Sequence, residues 1–282
     1  RSTLEFQILK TINNNIVSCL DSHGREHILM GRGLGFGRKA GQTIGQDQVE
    51  KIFSITDEAN LERFKELLSR LPRRQVEFCT ELIPYACEVL GHSLNESVCY
   101  TLCDHICFAI ERVKNGMAFT NALHTEVRLF YPQEYGVGSY AVSEIARRFQ
   151  VQLPEDGAAS IALHLVNAEY VTSFGITMQV TQALGEMVQL LRTSTEFKLD
   201  ESSIYFDEFL IHLKFLALSL FSHYEEPVSD NPFFDSVAAA LPREYHWAGI
   251  LTETLEKASG QKLTQQQKAY LAINLHRIHP TK

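Results

Sequence analysis

The feature that most constrains this chain is a duplication that carries histidines. Asp104-His105-Ile106 lies in a helical run over 100–112, and Ile211-His212-Leu213 lies in another over 206–221. Two further blocks repeat in the same order. Pro132-Gln133-Glu134-Tyr135 recurs as Pro242-Arg243-Glu244-Tyr245, and Ile161-Ala162-Leu163-His164-Leu165 recurs as Leu271-Ala272-Ile273-Asn274-Leu275. The offset is 107 residues for the first block and 110 for the other two. Ordered blocks at nearly one offset mark a repeated domain. The chain therefore reads as two homologous helical domains that present histidine at equivalent places. Such an arrangement suits regulation through imidazole chemistry, and it needs an output domain elsewhere.

Residues 6–55 supply that domain, and they read as β structure. Strands are expected over 6–12, 16–20, 26–30 and 49–55. Asn13-Asn14-Asn15 makes the first turn, because Asn tolerates positive φ and bonds its own backbone. Four short strands bury little surface alone, so this unit is expected to dimerise. Over residues 1–55 seven basic side chains face five acidic ones, a net +2 on a chain whose total is −8. A basic head on an acidic body points to a polyanion partner for the head alone. Residues 31–41 read GRGLGFGRKAG, and five glycines in eleven residues exclude a regular element. The plain reading is a flexible hairpin loop. A dinucleotide fingerprint needs a helix directly after the glycines, and a Walker loop needs Gly-Lys-Ser/Thr; neither is present. What remains is Arg32, Phe36, Arg38 and Lys39 on an open backbone. Cations interleaved with an aromatic suit looped RNA, which offers phosphates to neutralise and bases to stack.

From residue 56 onward the apolar spacing is helical, with about five helices in each repeat. Helices are expected over 74–90, interrupted near Pro84, and over 97–113, with Cys99, Leu102, Cys103, Ile106, Ala109, Ile110 and Val113 as its apolar stripe. The segment 170–176 is the joint between repeats. The second repeat then runs over 178–192, 205–223, 233–240, 247–259 and 265–278, and Thr264 with Gln267 has the spacing of a capping box. The six cysteines lack the paired loop spacings of a zinc site and read as reduced core thiols. No run approaches the roughly 18 apolar residues of a membrane span, and no signal peptide pattern opens the sequence. A cytoplasmic protein without membrane insertion is expected.

Of the eleven histidines, His92, His124, His223, His246 and His279 read as packing or boundary residues. His105, His164 and His212 stand apart because they occupy equivalent places in a duplicated unit. A metal site would need three or four converging ligands, and only Asp104 is an obvious neighbour. No nucleophile motif supports a hydrolytic triad. Phosphoryl acceptance needs only an accessible neutral imidazole and a donor, so it ranks above metal binding, and metal binding above hydrolysis. No catalytic residue, metal ligand or cofactor is expected.

Lys10-Thr11-Ile12-Asn13-Asn14-Asn15 followed by Met30-Gly31-Arg32-Gly33-Leu34-Gly35-Phe36, joined to two histidine-bearing helical repeats, resembles the bacterial transcriptional antiterminators of the BglG/LicT type. The resemblance covers nearly the whole chain. Residues 102–112 resemble the family's first phosphorylation motif, 161–168 the second and 212–216 the third. It implies a multidomain β then all-α fold: a small four-stranded antiparallel β RNA-binding domain over 1–60, then helical-bundle regulation domains of the sugar phosphotransferase system (PTS) over 61–174 and 175–282. It implies a homodimer that binds a hairpin in nascent mRNA and so prevents an overlapping terminator hairpin from forming. Lys10, Asn13, Asn15, Gly31, Arg32 and Phe36 are the implied RNA contacts. His105, His164 and His212 are the implied phosphorylation sites, with Asp104 and Asn274 in support. The implied phosphoryl donors are HPr and a sugar-specific permease of the PTS.

One departure stands out. Asn274 occupies the place where many relatives have His, and an amide does not accept phosphate in this chemistry. His276 lies two residues on, about 200° around the helix, and should not substitute. The main rival is a DNA-binding activator built on the same regulation domains. It would need a helix-turn-helix head where this sequence reads as strands. A phosphotransfer or metal-dependent enzyme would need a polar catalytic cluster that the sequence lacks.

Overall fold

The computed structural model describes residues 5–117, 120–171, 173–221 and 231–278. His223 and His279 lie outside the described residues. The chain forms two compact units, one of residues 1–119 with 139–157 and the other of 120–138 with 158–282.

The first unit opens with an antiparallel sheet in the order β4-β1-β2-β3-β5. Its strands are β1 (Glu5–Asn13), β2 (Ile16–Leu20), β3 (Glu26–Met30), β4 (Thr43–Gly45) and β5 (Lys51–Phe53). There are thus five strands rather than four. The unforeseen strand, β4, pairs with β1 and offers one apolar side chain, Ile44, which is buried. Three residues are too few to display an alternation, and the strand exists because Ile44 completes the sheet's core with Phe6, Ile8, Val17, Cys19, Leu29 and Leu34.

Helix α1 (Glu58–Arg70) begins where Asp57 accepts the Asn60 N–H at 2.7 Å. Its buried side Leu61, Phe64, Leu67 and Leu68 faces the interior, and Phe64 meets Phe53 of β5 edge to face. Leu71-Pro72 ends α1 and opens α2 (Arg73–Leu90), since Pro72 has a preset φ of −61° and no N–H to leave unsatisfied. Helix α2 runs through Pro84 without interruption. A proline there removes one helical hydrogen bond, and the buried stripe of α2 against α3 (Val98–Lys114) holds the helix together across it. All six cysteines are free thiols; Cys79 meets Cys103 and Cys107 between α2 and α3, where hydrogen bonds with these thiols, and then burial, raise its pKa well above the ordinary range.

The second unit includes α4 (His124–Phe130), the start of α5 (Pro132–Phe149) and nearly all of α6 (Asp156–Glu169). It continues with α7 (Phe174–Thr193), α8 (Ile204–Phe221), α9 (Pro232–Ala240), α10 (Pro242–Ser259) and α11 (Gln265–Ile278). One apolar core joins them, centred on residues such as Leu163, Leu184, Met187, Phe209, Leu213, Leu251 and Leu275. The capping box at α11 forms in both directions: Gln267 N–H donates to Thr264 Oγ1 at 3.1 Å, and Thr264 N–H donates to Gln267 Oε1 at 2.9 Å. No helix among the described residues is long and apolar enough to cross a membrane.

Candidate RNA interface and phosphoacceptor histidines

The Asn13–Asn15 turn and the glycine loop form one ordered platform. Gly31 N–H donates to Asn15 O at 2.9 Å, Gly35 N–H to Asn14 O at 3.0 Å, and Gly33 N–H to the Asn15 side-chain Oδ1 at 2.8 Å. The loop is a run of tight turns, closed by Leu34 N–H to Gly31 O and Phe36 N–H to Gly33 O. Gly33 and Gly37 hold φ near +68° and +66°, a backbone that suits glycine. At Gly35 the reason is close approach: a Cβ there would meet Asn13 O at 2.2 Å. Leu34 is buried in the sheet core and pins the loop down.

This scaffold leaves Lys10, Arg32 and Phe36 exposed, with Phe36 73% accessible. An exposed aromatic on the same glycine loop as an exposed arginine offers a face for stacking and a cation for phosphate. Gly31 is buried, and a side chain there would strike Gln48 O at 2.6 Å, so its role is to let the chain pass. Asn13 is used inside the fold at both ends. Its Oδ1 accepts the Asn15 N–H at 2.9 Å and its Nδ2 donates to Leu68 O of α1 at 3.3 Å. Two residues that sequence reasoning missed complete the platform. Glu50 accepts the Arg32 N–H at 3.0 Å, and Arg73 donates to Asn15 Oδ1 at 2.9 Å. No local pattern announces them, because Arg73 lies 58 positions from Asn15.

His105 sits on α3 between buried Leu102 and Ala109, with Asp104 exposed beside it and the Arg70 guanidinium 3.7 Å from that carboxylate. Burial pushes the His105 pKa down to about 4, against the upward pull of Asp104. The imidazole is therefore neutral near pH 7, the form with a nucleophilic lone pair. His164, in the other unit, is half-buried on α6 with its ring stacked on Phe174 at 4.8 Å. His212 is exposed on α8, flanked by exposed Ile211 and Phe215. His212 and Asn274 line a single groove of about 590 Å³ between α8 and α11, with Phe215, Gln267 and Tyr270. Asn274 Nδ2 donates back to Tyr270 O at 3.0 Å. His276 lies off this groove, its Nδ1 3.2 Å from the buried carboxylate of Glu244. Among the described residues no group of three or more His, Cys, Asp or Glu is arranged to hold a metal ion.

The fold and this platform define a class: a β-sheet RNA-binding domain followed by repeated helical regulatory domains. Residues 6–62 match the CAT RNA binding domain, and residues 80–168 and 185–278 each match the PRD domain. The chain belongs to this family. It is 34% identical over 272 residues to the transcription antiterminator LicT of Bacillus subtilis (strain 168), covering 96% of this chain and 98% of that protein. It is likewise 34% identical over 272 residues to the beta-glucoside operon antiterminator of Dickeya chrysanthemi, covering 96% of each. The crystal structure of GlcT CAT-PRDI superposes with a TM-score of 0.51 at 31% identity, covering 58% of this chain and 98% of that one.

Proposed function

We propose that this chain is a transcriptional antiterminator that binds an mRNA hairpin as a homodimer and is controlled by PTS-dependent phosphorylation of histidine. Its working parts are an RNA-binding domain over 1–60 and regulation domains over 61–174 and 175–282. The observation that carries the reading is the platform on which the Asn13–Asn15 turn supports a glycine loop that carries exposed Arg32 and Phe36, with Lys10 exposed on β1. Lys10 and Arg32 would neutralise phosphates, Phe36 would stack on an unpaired base, and Asn15 would hydrogen-bond to it. Asn13 and Gly31 would act through the shape of the turn and loop. Held in this way, the hairpin excludes the overlapping terminator, and transcription proceeds into sugar-utilisation genes.

His105 and His164 are the inhibitory acceptors, phosphorylated in dependence on a sugar-specific permease. His212 is the acceptor of the second regulation domain, with HPr as donor. Each phosphate adds about −1.5 to −2 charges and three strong acceptor oxygens, enough to repel a like-charged neighbour or capture an arginine. The RNA reading is tested by a gel shift of the whole protein with a bulged RNA hairpin and with duplex DNA of the same sequence. The hairpin should bind in preference, with affinity falling steeply as salt rises. Equal binding to the duplex favours the DNA-binding activator instead and overturns this reading.

A further inference from the structure

We infer that Arg73, in the first turn of α2 and outside the matched RNA-binding domain, is a positioning residue for RNA recognition: it fixes the carboxamide of Asn15 with its –NH2 group offered to the nucleic acid. The inference rests on the RNA-binding reading above. It concerns a residue that neither family match covers, since these span 6–62 and then begin at 80.

Asn15 Oδ1 accepts two hydrogen bonds, from Gly33 N–H at 2.8 Å and from Arg73 Nη1 at 2.9 Å. Both partners are obligate donors, so only the oxygen can face them, and the orientation of the amide follows from chemistry. Both oxygen lone pairs are then occupied. What the side chain has left is Nδ2, which among the described residues donates to no protein group. A carboxamide held in this way is a preorganised donor, and its rotamer need not be ordered when RNA arrives.

Arg73 is itself held from two sides. Its Nε donates to Glu77 Oε1 one turn along α2, and its Nη2 lies 3.9 Å from Glu50 Oε2. The other Glu50 oxygen accepts the Arg32 N–H at 3.0 Å. Arg32, Glu50, Arg73, Asn15 and Gly33 thus form a continuous chain of polar contacts across the base of the platform. Its location runs against the helix dipole. The first turn of α2 carries Arg73 and Arg74 and no acidic residue, and a cation there is disfavoured. Pro72 fixes the corner from which Arg73 reaches back, and Asn13 is tied to the same corner through Leu68 O. The platform's geometry therefore depends on α1 and α2 as well as on its own strands.

The test is a double-mutant cycle read by hairpin affinity across a salt series. It uses the whole protein with Arg73→Ala, Asn15→Ala and both together. A positioning role predicts that Arg73→Ala weakens binding about tenfold, the scale of one lost charge-assisted hydrogen bond. Its salt slope stays at the wild-type value, and Arg73→Ala has no further effect in the Asn15→Ala background. Arg73→Lys, which keeps a donor of similar reach, should recover part of the affinity, and it serves in place of the alanine variant should that one fail to fold by thermal melting. A direct phosphate contact would instead reduce the salt slope by about one and persist without Asn15; that result, or unchanged affinity in Arg73→Ala, overturns the inference. A wild-type protein that binds no hairpin at all defeats the RNA reading itself, which the wild-type arm registers separately.

Discussion

His105 is packed on α3, and that packing sets its charge. Burial lowers its pKa to about 4, while an unfolded chain titrates near 6.5, so only the unfolded state gains a proton in between. The neutral side chain's contribution to stability is therefore complete above pH 6.5 and is lost as pH falls toward 4. At pH 5 the loss should reach at most about 2 kcal/mol relative to pH 7. Urea melts at the two pH values should show that loss in the wild type and its removal in His105→Gln; parallel losses would contradict the buried neutral imidazole. Asn274 makes the complementary case. Its amide nitrogen is delocalised into the carbonyl and donates to Tyr270 O, so it has no lone pair to offer phosphorus. Incubation with phosphoenolpyruvate, enzyme I and HPr should label His212 in the second repeat. His212→Ala should abolish that label and Asn274→Ala should leave it. Label persisting in the His212→Ala protein, for instance on His276, would refute the assignment.

At the scale of elements, the platform depends on close approach. Gly35→Ala would drive a Cβ into Asn13 O and separate the glycine loop from the asparagine turn. Hairpin binding should be lost while thermal unfolding of the helical regions stays near wild type; intact binding would show that the loop does not need the turn. Thr264→Ala should remove half of the capping box and cost ~1 kcal/mol, measurable by chemical denaturation. Elements with strong local chemistry were readable in advance. Helix α11 begins and ends where the capping box and apolar spacing put it, and α3 differs from its expected span by a residue at each end. Elements defined by distant partners were not. Strand β4 has one apolar residue and exists through its pairing with β1. The interruption expected at Pro84 does not occur, because packing against α3 outweighs one missing hydrogen bond. The glycine run by itself leaves a flexible hairpin and a nucleic-acid clamp both open, and the loop's order comes from hydrogen bonds to the Asn14–Asn15 turn earlier in the chain.

At the scale of the whole molecule, the duplication announces two regulatory repeats, and the glycine loop beside the asparagine turn announces where RNA would be met. Exposure of Lys10, Arg32 and Phe36 follows from that pattern, whereas the Glu50 and Arg73 contacts beneath it are tertiary and leave no mark in the local sequence. Truncating Phe36 to Ala should cost about 1–3 kcal/mol of hairpin affinity, the worth of one stacked base, and titration with labelled hairpin would measure it. Arg32→Ala should also lower the salt slope by about one if its side chain meets a phosphate. An antiterminator's head, once bound to RNA, must change the outcome of transcription. The most direct measurement is read-through in a purified single-round transcription reaction, on a template whose hairpin overlaps a terminator. Unphosphorylated protein should raise read-through in proportion to its occupancy of the hairpin, and Phe36→Ala should raise it far less at equal concentration. Read-through that does not respond to the protein while the hairpin is demonstrably bound would rule out an antiterminating role for the head.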